Sequence, residues 1–411
     1  MDSLSLVRPL ANAIYGRVML VRHRTSGRYY ALKVMSLPHM RARRAVTGPF
    51  VQEDGEMELQ ILRKLGRNLV YSSGLCADEN SRANQEQASR HESWSVSPVW
   101  SNAVEDDTRA NVGDEQYLLT LHQDFVDPTT HSRCLLFDYC PYGDLFSHVA
   151  AQSGGGLPLE IARSYFVQIA SAVRFLHARN VAHRDLSLEN VLLDSFRRCR
   201  LGDFGLASAS GPRCSGARVG KILYMAPEVF SRPPYRADAA TSSENMDKHG
   251  CYHGLQADMW SLGVILFVLV TGIPPFETAS DADARFRLVS KPGGSIRELL
   301  RAWGQENRLP QELSALLDRM LRVDPRERPT ADEVCAHEWL LGRTEVQQQP
   351  AMTRKTRRWA AHGEKRPGAE PEEEEDAENQ EPQNLSGVSN QSDTAWSWSS
   401  PRSNKRVKRL G

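Results

Sequence analysis

Residues 4–35 alternate apolar and polar positions around a turn signal at Thr25-Ser26-Gly27. A period of two predicts three antiparallel strands. From Glu53 to Leu65 the period changes. Leu59, Leu62 and Leu65 fall on one helical stripe, with Glu58 beside it. Between about residues 66 and 115 periodicity disappears and Ser, Asn, Gln, Asp and Glu take over, which reads as a disordered loop insertion. Extending a loop from about five to about fifty residues costs only about 2 kcal/mol of closure entropy, so the surrounding structure tolerates it. Strands resume over 117–126 and 134–139. The chain is then mostly helical from Leu145 to Leu341, broken by a second insertion over about 233–254.

The run from Val264 to Val270 is very apolar but short, bounded by Gly263 and Gly272. A membrane helix needs about twenty apolar residues, so this is expected to be a buried core helix. Past Gly342 charges separate into blocks: 354–366 basic, 370–381 acidic, 405–409 basic again, with few aliphatic residues. Residues 342–411 therefore read as a disordered charged tail. The last basic cluster has two readings, a solvated end screened by the acidic block or a signal for an import receptor or other polyanionic partner. Trp396 and Trp398 could anchor a partner, but the sequence does not show that they do.

Composition adds exclusions. The 411 residues carry a formal net charge of +0, so no global attraction to nucleic acid or membrane is expected. The 7 cysteines form no Cys-x-x-Cys pair, which argues against a zinc site or disulfide framework and fits a reducing compartment. Met1-Asp2-Ser3 reads as neither a signal peptide nor a myristoylation site, and the last residues are not a prenylation box. The expected location is the cytoplasm, or the nucleus if the basic cluster is an import signal.

The chemistry is concentrated in a few segments. His183-Arg184-Asp185 and Asn190 lead into the apolar run Val191-Leu192-Leu193, and Asp203-Phe204-Gly205 follows about ten residues later. A hairpin over this stretch brings two carboxylates and an amide to one cleft. Phosphoryl transfer needs such groups, one to orient the attacking hydroxyl and others to hold magnesium on the phosphates.

These residues resemble the eukaryotic protein kinases of serine/threonine type. The segment from His183 to Asn190 resembles the catalytic loop, Asp203-Phe204-Gly205 the magnesium loop, and Ala226-Pro227-Glu228 the end of the activation segment. Tyr30-Ala31-Leu32-Lys33-Val34 resembles the lysine-bearing strand. Asp258 to Gly263 resembles the start of the buried large-lobe helix. Asp324 to Thr330 resembles the stretch whose arginine pairs with Glu228. The order of motifs is that of the family from about residue 5 to about 341. The stretch from Gly16 to Val21 is similar to the cyclic-nucleotide-dependent group, and Arg328 to Trp339 to the calmodulin-dependent group.

The resemblance implies an α+β fold with two lobes over residues 4–341. A small antiparallel sheet lobe with one main helix (about 4–139) would stand over a larger, mostly helical lobe (about 140–341). It also implies ATP, Mg2+ and a protein substrate. Asp185 would orient the substrate hydroxyl, and Asn190 and Asp203 would hold magnesium. Lys33 would contact the α- and β-phosphates, held by Glu58, with Glu56 the rival partner. Leu10, Ala11, Ala13, Gly16, Val18, Ala31, Asp138, Cys140, Asp144 and Leu192 complete the implied nucleotide-contacting set. Val18, Ala31 and Leu192 would wall the adenine slot, and Phe137 would stand at its gate. Asp144 and Glu189 would favour basic residues in the substrate. Arg184 would bind a phosphate on the activation segment, with Ser208, Ser210 and Ser215 as candidate acceptors.

Three departures qualify the resemblance. The phosphate-covering loop reads Ala11-Asn12-Ala13-Ile14-Tyr15-Gly16, with alanine at two of three usual glycines. Loss of access to positive φ there predicts weakened activity. Ser187 stands where such kinases usually carry a lysine, and Lys221 where they usually carry threonine. The two are expected to have exchanged roles, Lys221 supplying the ammonium and Ser187 the hydroxyl beside Asp185; two independent losses is the alternative. A binding scaffold without transfer, and a small-molecule kinase, are the rival readings.

Overall fold

The alternating stretch folds into β1 (Leu4–Ala13), β2 (Gly16–His23) and β3 (Tyr29–Ser36). The computed structural model describes residues 3–72, 113–152, 155–210, 213–234 and 250–342. Contacts divide the chain into the unit Met1–Gln347 and the unit Gln348–Gly411. The expected disordered tail, and most of both expected insertions, lie outside the described residues.

Two more strands, β4 (Leu121–Asp127) and β5 (Ser132–Asp138), complete an antiparallel sheet in the order β1-β2-β3-β5-β4. The short helix α1 (Leu37–Ala42) follows β3, and α2 (Gly55–Ser72) packs its Leu59, Ile61, Leu62 and Leu65 into the core. The helix starts two residues later than expected because Asp54 caps it. Asp54 Oδ1 accepts from the N–H groups of Glu56 and Met57 at 3.1 and 3.0 Å. It also runs to Ser72, beyond the expected start of the insertion.

The far boundary of that insertion moves as well. Tyr117 is not in a strand; Asp114–Tyr117 is a 3-10 turn held on the large lobe. Asp114 accepts two bonds from Arg174, at 2.7 and 2.8 Å, and Arg200 donates to the Gln116 carbonyl. A fixed charge pair closes this end of the excursion, which hydropathy alone does not signal.

The large lobe contains α3 (Leu145–Ala150), α4 (Leu159–His177), the hairpin β6 (Val191–Leu193) and β7 (Cys199–Leu201), then β8 (Arg213–Cys214) and α5 (Pro227–Phe230). Next come β9 (Tyr252–His253), α6 (Gly254–Thr271), α7 (Ala284–Ser290), α8 (Ile296–Ala302), α9 (Gln311–Met320) and α10 (Ala331–Cys335). The second insertion ends earlier than expected at its C-terminal side. Tyr252 and His253 pair with Cys214 and Arg213, and Gly254 already begins α6.

By length and composition α6 could cross a membrane, yet its side chains are packed inside this lobe. Trp260 is fully buried, with the rings of Phe276 and Phe286 centred 5.6 and 6.2 Å away. A helix apolar on all sides is stable only when protein surrounds it, and here α4 and α9 do so. It is the core helix that the short apolar run predicts.

Candidate active site

Strand register sets one wall of the site. Val18 lies opposite Lys33 in the β2–β3 pair, and Ala31 opposite Phe137 in the β3–β5 pair. Because side chains alternate faces, Val18, Ala31, Lys33 and Phe137 share one face of the sheet. Leu10 sits at a register shift between Pro9 and Ala11, while Ala11 and Ala13 pair with Val18 and Gly16.

The segment expected to cover phosphate is the end of β1 and a two-residue turn at Ile14-Tyr15, and neither Ala11 nor Ala13 has positive φ. The expected penalty from alanine is therefore not found in the backbone dihedrals. The obligatory glycine is Gly16, where a Cβ would overlap the Val34 carbonyl.

On the sheet face just described, Lys33 Nζ donates to Glu58 Oε1 and Oε2 at 2.7 and 2.9 Å. Glu58 is 3% exposed, so water competes little for either charge. Burial by itself pushes the Lys33 pKa down, but the carboxylates of Glu58 and Asp203 outweigh it and the net shift is upward. Lys33 stays an ammonium. Glu56, the rival partner, is instead exposed and lies 3.8 Å from Arg133.

The other wall comes from the β6–β7 hairpin and the loops at its open end. Gly202 N–H donates to the Asn190 carbonyl at 2.9 Å, which brings entry and exit of the hairpin together. Asn190 Nδ2 donates to the Asp185 carbonyl at 2.7 Å and to Asp185 Oδ2 at 2.9 Å. With its NH2 so used, the amide has its oxygen left to accept, and Lys221 Nζ lies 3.3 Å from it. Asp203 takes φ 60°, a left-handed conformation that costs an aspartate of order 1 kcal/mol and is characteristic of functional positions. Burial opposes its charge, but first Lys33, then His183 and Lys221, hold its carboxyl below the ordinary value.

Lys221 completes the cluster. Its ammonium lies 2.8 Å from Asp185 Oδ2 and 3.3 Å from Asn190 Oδ1, and its backbone N–H donates to Asp185 Oδ1 at 3.0 Å. Gly220 makes this approach possible. It has φ 90°, and a Cβ there would come 2.7 Å from the Arg184 carbonyl. The other half of the expected exchange is not found. Ser187 Oγ is buried and has no hydrogen-bond partner, so it does not serve as the hydroxyl beside Asp185. Ser187 has an extended backbone, φ −159°, precedes the Leu188–Asn190 turn and is fully buried.

Asp144 stands at the start of α3. It caps α3, accepting from Ser147 N at 2.7 Å and from Ser147 Oγ at 3.1 Å, and pairs through its backbone with Leu192. In the hinge, Asp138 Oδ1 lies 2.7 Å from His122 Nε2, while the Cys140 carbonyl accepts from Gly143 N–H at 3.3 Å.

Three contributors have no site role in the sequence pattern. Asp258, at the start of α6, accepts from the backbone N–H groups of His183 and Arg184, both at 2.8 Å, and so fixes the loop that carries Asp185. An aspartate in an otherwise apolar helix was the available signal. Glu53 stands against Gly205, and burial together with the Asp203 charge pushes its carboxyl up to about 7. Tyr15 donates its hydroxyl to the Glu53 carbonyl, tying the phosphate-covering turn to the segment before α2. Only spatial proximity connects these two to the site.

Comparison with known proteins agrees with this geometry. The family model for the protein kinase domain matches residues 110–340. The serine/threonine-protein kinase MARK-A of Dictyostelium discoideum is 32% identical over 56% of this chain and 19% of its own length. Serine/threonine-protein kinase CHK1 of Saccharomyces cerevisiae is 33% identical over 51% of this chain and 36% of its own. Protein kinase 3 of Dictyostelium discoideum aligns over a longer stretch, 80% of this chain and 28% of its own, at 25% identity. The chain thus spans about a fifth to a third of the length of these relatives. It belongs to the protein kinase domain family, and its fold is the two-lobed α+β kinase fold.

Proposed function

We propose that the protein is an ATP-dependent serine/threonine protein kinase, moving the γ-phosphoryl group of ATP to a protein hydroxyl. The observation that carries this reading is the convergence of Lys33–Glu58, Asp185, Asn190 and Asp203, each with the partners that transfer requires. Asp185 would accept or orient the proton of the substrate hydroxyl. Asn190 Oδ1 and the Asp203 carboxylate would hold magnesium, which neutralises phosphate charge when bound. Lys33 would neutralise the α- and β-phosphates, kept straight by Glu58.

Lys221 is read as the ammonium beside the transferring phosphate. Its contact with Asp185 supports a functional replacement for the lysine that Ser187 lacks. The free thiols of Cys134, Cys140, Cys199 and Cys214 support a reducing compartment, hence a cytoplasmic location, which cell fractionation tests. Whether the basic cluster at 405–409 engages an import receptor is tested by deleting it and following nuclear entry.

The alternative is a scaffold that keeps the fold and transfers nothing. The intact Lys33–Glu58 pair speaks against it. Transfer of γ-phosphate to a general protein substrate, compared between wild type and Asp185→Asn, separates the two. The kinase predicts a loss of about 10² to 10⁴ in rate; equal background in both proteins defeats the proposal.

A further inference from the structure

Arg184 has a partner that its sequence neighbours do not announce. Its Nε donates to the Tyr252 hydroxyl at 2.8 Å, and its Nη1 donates to the Leu206 carbonyl at 3.3 Å. Tyr252 is 7% exposed and stands on β9, where its backbone pairs with Cys214 of β8 inside the activation segment. A second guanidinium, Arg232, lies 5.2 Å from the centre of the same ring and donates to the Gly216 and Gly250 carbonyls at 2.6 and 2.9 Å. Burial raises the Tyr252 pKa, so the phenol stays neutral and offers its oxygen lone pair to Arg184.

Other described residues of the segment are tied by the chain's own groups. Ala182 and Ser208 exchange backbone bonds of 2.9 and 2.8 Å, and Asp54 N–H donates to the Gly205 carbonyl at 3.0 Å. Gln52 Nε2 donates to the Arg218 carbonyl at 2.8 Å, and Ser261 Oγ to the Tyr224 carbonyl at 2.7 Å. In switchable kinases a phosphate placed on such a segment pairs with an arginine and orders it. Here Arg184 is already engaged, and Ser208, one candidate acceptor, is locked by its backbone to Ala182.

We propose that Tyr252 is a positioning residue for catalysis. Through Arg184 and the β8–β9 pair it holds the activation segment in working form, so that transfer does not depend on a phosphate in that segment. The inference rests on the kinase reading. Both the orientation of Asp185 and the contact of Lys221 with it depend on this segment, because Arg184 precedes Asp185 and Lys221 lies within the segment.

The experiment uses the full chain before and after a broad-specificity protein phosphatase, with intact mass confirming removal. Dephosphorylated wild type is expected to keep kcat within about threefold. Tyr252→Phe keeps the ring but loses the bond to a charged donor. It should lower kcat about tenfold while KM for ATP stays within about twofold, a split that a merely structural role does not produce. Amide exchange over 206–210 and 213–220 should be slow in dephosphorylated wild type and faster in Tyr252→Phe.

The proposal is overturned if dephosphorylated wild type loses its turnover and regains it on rephosphorylation, or if Tyr252→Phe matches wild type in kcat and exchange. If no state of the protein transfers phosphate, the kinase reading falls by itself. Amide exchange then decides the contact: protection lost in Tyr252→Phe upholds it, and equal exchange refutes it.

Discussion

The ammonium of Lys221 stands 2.8 Å from Asp185 Oδ2, although the two residues are 36 positions apart. The pair places a positive charge beside the carboxylate proposed to orient the substrate hydroxyl. Preorganised charge of this kind stabilises charge that develops in a transition state. Lys221→Thr is therefore expected to lower kcat by about 10² to 10³, as loss of one stabilising donor typically does. Ser187→Lys in the same chain should restore most of the rate. Kinetic measurement of both single variants and the double variant checks this; simple additivity of the losses would show that the residues are independent.

Ser187 gives a stability prediction of opposite sign to most core changes. Its hydroxyl is buried without a partner, a situation that costs about 1–3 kcal/mol. Ser187→Ala should leave the urea midpoint unchanged or raise it. A drop of more than about 1 kcal/mol would mean that the hydroxyl is bonded in solution.

The phosphate-covering turn separates glycine's two uses. At Gly16 a side chain meets the Val34 carbonyl, so Gly16→Ala should distort the β1–β2 hairpin and raise KM for ATP. Ala11 and Ala13 have no positive φ, so glycine there brings only backbone entropy, a cost of about 0.5–1 kcal/mol each. Ala11→Gly and Ala13→Gly should lower thermal stability without raising kcat. An increase in kcat would restore the view that alanine restrains the loop.

Arg328 is completely buried and holds both oxygens of Glu228, at 2.7 and 2.8 Å. It also donates to the carbonyls of Arg322, Val323 and Gln256. Removing one partner of a buried pair leaves an uncompensated charge and costs about 3–5 kcal/mol. Glu228→Leu should therefore destabilise strongly in urea titration. Combining it with Arg328→Met should cost less than the two separate losses added together.

Acid sensitivity has one identifiable source at the start of α7. Burial opposes the charge of Asp283, but bonds from the N–H groups of Glu277, Arg285 and Thr278 hold its pKa below 3.8. A depressed carboxyl binds its proton less readily folded than unfolded. Its contribution is thus complete above pH 3.8 and fades as pH falls through the lower folded value. Asp283→Ala should cost about 1 kcal/mol near neutrality. The difference from wild type should shrink below about pH 4 in urea titrations at stepped pH. A constant difference across that range would remove the linkage.

Local pattern in the chain specified much of this protein. Alternation over 4–35 encodes three antiparallel strands, and the stripe Leu59, Leu62, Leu65 encodes the inward side of α2. Both are properties of neighbouring residues, so no partner need be known to read them. Motif spacing likewise placed Lys33, Glu58, Asp185, Asn190 and Asp203, because each lies beside residues that repeat the family pattern.

Tertiary structure decided the rest. Asp54 rather than Glu53 starts α2, since a cap depends on which side chain reaches the free N–H groups. The excursion before β4 ends at a 3-10 turn because Arg174 and Arg200 come from distant elements. Ser187 keeps its hydroxyl buried without a partner, while Lys221 reaches Asp185. Arg184 found Tyr252 across 68 positions. Hydrogen bonds and ion pairs act over a few ångströms of space whatever the separation along the chain, so only the folded backbone determines which of them form.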